Sequence, residues 1–205
     1  IVFLCLPDAA AREAVSLIEN DHTRVIDAST AHRTADGWAY GFPELSDGHR
    51  AAIQTSTRVA NPGCHATGFI ASVYPLVAHG VLSATDALTC FSLTGYSGGG
   101  KKMIASYEAE DKTDGLYAPR VYGLNLQHKH LPEMQKVCGL ATPPVFCPVV
   151  DDYYKGMATT VMLPDHNAHI VWQALSAHYA GQKLVKVAPL GEGAPMISAN
   201  TFAGR

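Results

Sequence analysis

The chain has 205 residues, 47% of them hydrophobic and 16% charged, with a formal charge of -3. That length can bury a substantial core, and that balance belongs to a folded globular protein and excludes a disordered or fibrous one. Without a run of Lys or Arg the chain carries no electrostatic footprint for nucleic acid or for an anionic membrane surface, so the expected partner is a small molecule.

Ile1 to Leu6 is a continuous apolar run of strand length. The chain therefore opens inside what reads as a sheet, with no initiator Met and no charged leader, and is expected to be a fragment of a longer protein. Pro7-Asp8 then turns into a helix over 9–18, where Ala11, Val15 and Ile18 recur at helical spacing. Arg24 to Asp27 and Arg58 to Ala60 read as two further strands, each followed by polar or Gly/Pro residues. Strands that are apolar on both faces predict a covered parallel sheet. Residues 1–63 are thus expected to be the C-terminal part of a doubly wound, Rossmann-like dinucleotide-binding domain.

From Ala66 to His79 the positions Phe69, Ile70, Val73, Leu76 and Val77 describe one helical face, with Gly80 as the stop. The apolar stretch 69–82 is interrupted by Pro75 and His79 and falls short of the roughly 20 residues a spanning helix needs, so no membrane span is expected. Strand-like segments follow at 88–94, 145–150 and 159–163, then a helix over 169–180 with Gly181 behind it. The fold class is therefore α/β: a partial parallel-sheet domain plus an α+β domain over 64–205. The five cysteines, Cys5, Cys64, Cys90, Cys138 and Cys147, contain no Cys-x-x-Cys pair. An odd set of widely spaced thiols argues against zinc ribbons and disulfide frameworks and for a reducing, cytoplasmic compartment.

Three segments carry candidate chemistry. In Asn61-Pro62-Gly63-Cys64-His65-Ala66-Thr67-Gly68 a tight turn delivers a thiol to a helix N-terminus, where free amides and the helix dipole favour the thiolate. His128-Lys129-His130-Leu131-Pro132-Glu133 offers the proton partner, since His128 and His130 share one side of an extended segment and Pro132 can open the next helix. No carboxylate or Cys cluster at ligand spacing accompanies this pair, so no metal is expected. Thr94 to Lys101 places the amides of Ser97, Gly98 and Gly99 and the Lys101 cation in one loop suited to an anionic group. Arg33 is a second candidate anion ligand through its planar fork.

Together with Leu6 to Ala10, Asp27 to Arg33 and Tyr40 to Glu44, these segments resemble the shorter form of the N-acetyl-gamma-glutamyl-phosphate reductases of arginine biosynthesis, in the semialdehyde dehydrogenase superfamily. The resemblance covers nearly the whole chain. It implies that Cys64 attacks the gamma-acyl phosphate, that phosphate leaves, and that NADPH reduces the resulting thioester to the semialdehyde, with His130 as acid and base and His128 nearby. It also implies that Arg33, Lys101 and Glu133 face the substrate, and that Pro7, Asn61, Pro62, Gly63, Ser97, Gly98 and Gly99 face the NADP cofactor. Residues 64–205 become a catalytic and dimerisation domain of a homo-oligomer, a dimer or tetramer.

Two departures stand out. The family's glycine-rich loop for the pyrophosphate has no counterpart before Ile1, so this stretch alone is expected to bind cofactor poorly. The family often has an aromatic residue after the cysteine, whereas this chain has His65, read either as a neutral replacement or as a change in the thiol's acidity. Alternative readings are an aspartyl-phosphate-type dehydrogenase, a cysteine hydrolase or acyltransferase using Cys64 and His130, and a non-catalytic module in which Cys64 is dispensable.

Overall fold

The computed structural model describes residues 1–191 and 198–199. The apolar runs of the first sixty residues form β1 (Val2–Leu4), β2 (Val25–Asp27), β3 (Ala39–Tyr40) and β4 (Arg58–Ala60), all parallel, in the order β1-β2-β4-β3. Helix α1 (Asp8–Ser16) follows β1 directly and buries only Ala11. Two elements were not foreseen, the two-residue β3 and helix α2 (Asp47–Thr55). The Ser46 side chain caps α2 by accepting from the His49 amide, and Arg24 donates to the carbonyls of Ile53, Gln54 and Ser56 at its other end. This helix buries no residue, so it lacks the apolar stripe that periodicity can detect.

Helix α3 (Cys64–Ala78) starts two residues earlier than the apolar spacing suggested, which makes Cys64 its first residue. Its stripe of Phe69, Ile70, Val73 and Leu76 is buried to 1% exposure or less, each side chain contributing roughly 1.5–3 kcal/mol. Pro75 lies inside this helix and cannot donate to the carbonyl of Ala71. The Tyr179 hydroxyl donates to that carbonyl instead, at 2.8 Å. Gly80, at φ +69°, ends the helix in a left-handed turn, with the Val81 amide donating to Leu76.

The second sheet comprises β5 (Thr89–Gly95), β6 (Arg120–Val121), β7 (Val145–Asp151) and β8 (Met157–Met162) in the order β6-β7-β5-β8. The central pair β5 and β7 is parallel, and β6 and β8 flank it antiparallel. Helices α4 (Gly100–Tyr107), α5 (Leu131–Cys138) and α6 (Ala168–His178) complete the fold. A continuous core joins Tyr40, Phe42 and Leu45 to the α3 stripe and to Leu131, Met134 and Phe146. The start of α3 therefore lies where the two sheets meet. Among the described residues no helix is long and apolar enough to cross a membrane.

Candidate active site

Gly63 precedes α3 with extended backbone (φ -73°, ψ 145°), and its amide donates to Glu133 Oε2 at 3.1 Å. Glu133 is 1% exposed, a costly place for a carboxylate unless it is fully partnered. It accepts from Arg33 Nη1 at 2.9 Å and from the Tyr40 hydroxyl at 2.9 Å, so the loop after β2, β3, the start of α3 and α5 are all tied to one carboxylate. Arg33 is spread further, its Nε donating to the Asn61 carbonyl and its Nη2 to the Ala28 carbonyl. Buried beside this pair, Tyr40 is held far above its ordinary pKa and remains a neutral donor.

Gly63 is needed here for space. A Cβ at this position would stand 2.4 Å from Glu133 Oε1, 2.5 Å from Arg33 Nη1 and 2.6 Å from His130 Nε2. Carboxylate, guanidinium and imidazole thus converge on the residue next to the thiol.

Cys64 opens into a cleft of about 390 Å³, large enough for the reacting end of a small ligand. The cleft is also lined by Arg33, His65, Tyr122, His128, Lys129, His130 and, opposite the helix start, by Gly95, Gly98, Gly99 and Met103. The thiolate expected from the helix N-terminus does not result. Desolvation by the cleft walls raises the thiol's pKa and outweighs the lowering by the amides of His65 and Cys64 and by Arg33. His130, 4% exposed, is driven the other way, to about 2, by burial and by the neighbouring His128, Arg33, His65 and Lys129. At neutral pH the pair is therefore a thiol and an uncharged imidazole.

His128 and His130 do come together, with ring centroids 4.7 Å apart. They do so in a turn closed by the Leu131 amide on the His128 carbonyl, because α5 already begins at Leu131. His128 Nδ1 accepts from the His130 amide at 3.2 Å, so a neutral His128 carries its proton on Nε2 and is a donor. Among the described residues His130 Nδ1 is buried without a partner, while its Nε2 lies 4.0 Å from Glu133 Oε1.

Of the residues expected at the site, Cys64, His128, His130, Arg33, Gly98 and Gly99 line the cleft. Gly63 and Glu133 stand behind it, and both Glu133 oxygens are occupied by protein donors. Asn61 serves Arg33 through its carbonyl, and Pro62 packs near Gly41. Pro7 caps α1, Ser97 sits in the 3₁₀ turn 96–99 bonded to Tyr154, and Lys101 is exposed on α4; none of the three is among the cleft residues. Sequence reasoning passed over Tyr122, Lys129 as a cleft residue, and the bonds of His65, whose ring nitrogens lie 2.7 Å from Ser92 Oγ and 2.7 Å from the Tyr122 hydroxyl. Tyr122 stands alone in a loop, and no local pattern marks it.

Gly95 at the end of β5 and Gly98 and Gly99 in the following turn leave part of the cleft wall without side chains, which gives a ligand close access to the backbone. Among the described residues no group of three or more His, Cys, Asp or Glu side chains could hold a metal ion.

Residues 1–55 match the family model of the semialdehyde dehydrogenase NAD binding domain, and residues 64–202 that of the semialdehyde dehydrogenase dimerisation domain. Among curated proteins, an N-acetyl-gamma-glutamyl-phosphate reductase of Sinorhizobium fredii is 43% identical over 100% of this chain and 69% of its own length. One from Chelativorans sp. is 48% identical over 92% of this chain and 63% of its own. N-acetyl-gamma-glutamyl-phosphate reductase 2 of Nostoc sp. is 44% identical over 92% of this chain, which spans 62% of that relative's length. In the solved structures, aspartate semialdehyde dehydrogenase II of Vibrio cholerae superposes with a TM-score of 0.66 at 14% identity, over 85% of this chain and 59% of that one. The Candida albicans aspartate semialdehyde dehydrogenase with NADP gives 0.61 at 15% identity, over 84% and 54%. The fold is thus shared with enzymes of distant sequence, and the curated relatives are much nearer. The chain belongs to the semialdehyde dehydrogenase family, among the N-acetyl-gamma-glutamyl-phosphate reductases.

Proposed function

We propose that this chain carries the catalytic machinery of an NADPH-dependent reductase that converts N-acetyl-gamma-glutamyl phosphate to N-acetylglutamate semialdehyde in arginine biosynthesis. The observation that carries this reading is the meeting of Cys64, His128, His130 and Arg33 in one cleft opposite a glycine wall. The names of relatives at 43–48% identity support this substrate.

The proposed course begins with Cys64 attacking the acyl carbonyl. Because thiol and imidazole are both neutral, the proton passes to His130 as the C–S bond forms. The C–O bond to phosphate then breaks, and the leaving anion is held by the N–H groups of Arg33 not committed to Glu133, Asn61 and Ala28, together with Lys129, a reading supported by both cations lining the cleft. His128, fixed as an Nε2–H donor, serves the carbonyl oxygen. A reduced nicotinamide, when bound against Gly98 and Gly99, supplies hydride to the thioester carbonyl. His130 returns its proton as the adduct collapses, freeing aldehyde and thiol. Glu133 holds Arg33 and Gly63 in place and touches no substrate.

Two further parts belong to the same proposal. One is the division into a nucleotide-binding part ending at Gly63 and a catalytic and dimerisation part starting at Cys64. The other is a homo-oligomer formed over the open face of the second sheet, where Phe91, Val145 and Met162 share a side and are 37%, 59% and 54% exposed. The activity is tested with the full-length protein by reduction of NADP+ with N-acetylglutamate semialdehyde, with and without phosphate. Phosphate-dependent turnover that disappears in Cys64→Ser is expected; turnover without phosphate, or none with the intact cofactor-binding protein, counts against the substrate assignment.

A further inference from the structure

His65 follows the nucleophile, yet its ring points away from any role as a base. It is 2% exposed and packed between the rings of His128, His130 and Phe146. Burial and the nearby His128 push its pKa down to about 4, so it is uncharged at neutral pH. Both its nitrogens are engaged, Nδ1 with Ser92 Oγ at 2.7 Å and Nε2 with the Tyr122 hydroxyl at 2.7 Å. Ser92 Oγ, on a fully buried residue, continues to Thr159 Oγ1 at 2.9 Å. Four side chains on β8, β5, α3 and the loop after β6 thus form one chain of hydrogen bonds that ends at the cleft.

A neutral imidazole donates from one nitrogen and accepts at the other, so the chain can run in only two directions. If Tyr122 donates to His65, then His65 donates to Ser92, Ser92 to Thr159, and the hydroxyl hydrogen left over is that of half-buried Thr159, packed against Gly68 of α3. No other partner for that hydroxyl exists among the bonds of the described residues. If Thr159 donates to Ser92, Ser92 donates to Nδ1, and Nε2–H donates to the Tyr122 oxygen. Every internal hydrogen is then used, and the one left over is the Tyr122 hydroxyl hydrogen, at the cleft wall. A hydroxyl hydrogen left against the α3 backbone costs at most about 1–3 kcal/mol, whereas one at the cleft wall can meet solvent or ligand, which favours the second direction. Tyr122 keeps its proton there, since burial and the nearby Cys64 raise its pKa to about 12.

We propose that Thr159, Ser92 and His65 form a polarity-setting chain that makes Tyr122 a hydrogen-bond donor into the cleft, aimed at an acyl oxygen that gains negative charge when Cys64 is attached to it. The proposal rests on the acyl-thioester reading above. His65 is a positioning residue that acts through Tyr122. An aromatic residue lacking a ring acceptor and donor at position 65 could not transmit direction from Ser92 to Tyr122.

The test uses full-length wild-type protein, His65→Phe, Tyr122→Phe and the double variant, with kcat and KM measured separately. Deleting one donor to a developing oxyanion costs about 100- to 1000-fold, so misdirecting one is expected to lower kcat about tenfold while KM moves less than about twofold. In the Tyr122→Phe background His65→Phe should cost nothing further. If His65→Phe does not fold, His65→Leu gives the same cycle with a smaller side chain that neither donates nor accepts. Nitrogen-15 NMR of the histidines reads the tautomer directly, and Nε2–H on His65 is expected. An Nδ1–H tautomer, or the same loss with and without the Tyr122 hydroxyl, overturns the proposal. Should the wild type lack phosphate-dependent turnover, the substrate reading falls, and the tautomer still decides the direction of the chain.

Discussion

Replacing Gly63 by Ala adds one methyl group where three functional groups meet. The backbone at φ -73° and ψ 145° accepts any residue, so conformational strain contributes nothing and the effect is steric. The new carbon would sit at 2.4–2.6 Å from Glu133 Oε1, Arg33 Nη1 and His130 Nε2, against an ordinary contact near 3.5 Å or more. Something must move by about 1 Å, and Glu133 cannot move alone because the Tyr40 hydroxyl and the Gly63 amide hold its other oxygen. Overpacking costs roughly 1–3 kcal/mol and weakening one charge-assisted bond adds a similar amount, which gives a loss of about 3 kcal/mol. For a chain of this size that lowers Tm by roughly 6–12 °C. A 1 Å shift of His130 and Arg33 should also cut kcat/KM about 100-fold. Thermal unfolding and steady-state kinetics of the full-length Gly63→Ala variant measure both. A variant with wild-type Tm and activity within twofold of wild type would refute the convergence on Gly63.

Tyr179→Phe removes the donor to the Ala71 carbonyl and should cost about 1–2 kcal/mol, or roughly 2–8 °C in Tm. The loss should vanish when Pro75 is also changed to Ala, because an amide then returns to serve Ala71; a loss that persists would place the effect elsewhere. Alkylation of Cys64 by iodoacetamide, followed by peptide mass spectrometry, should be slow at pH 7 and rise above pH 9, because the raised pKa keeps the thiol protonated. A rate already at plateau by pH 7 would mean that the helix N-terminus wins over desolvation. His65 titrates near 4 when folded and near 6.5 when unfolded, so the unfolded state takes up the proton first as pH falls. Stability is then whole above pH 6.5 and drops by about 1.4 kcal/mol per pH unit down to pH 4. Urea midpoints at pH 7 and pH 5 test this, and equal midpoints contradict it.

The elements with strong periodicity were legible in the sequence. Cys64 at a helix mouth, the α3 stripe and the strands β1, β2, β4, β5, β7 and β8 follow from apolar spacing and Pro/Gly punctuation, whereas the two-residue β6 does not. What escaped had no period to read: α2 buries nothing, β3 has two residues, and α4 follows a glycine run that reads as loop. For the site, residue types pointed correctly to the cysteine and the histidine pair, because each lies within one short segment. Partners that meet only through tertiary packing were not visible. Arg33 and Glu133 are 100 positions apart and are each expected, from the resemblance, to face the substrate, whereas they bind each other. The direction of the thiol's acidity was also misread, since a helix N-terminus is a local feature and the desolvation that outweighs it is set by the whole cleft.

The central claim is covalent catalysis at Cys64, and intact-mass spectrometry of the full-length protein mixed with N-acetyl-gamma-glutamyl phosphate in the absence of nicotinamide tests it most directly. The account predicts one N-acetylglutamyl group added per chain, mapped to Cys64, with one equivalent of phosphate released and neither event in Cys64→Ala. Phosphate release without an adduct, or an adduct on any other residue, would contradict it.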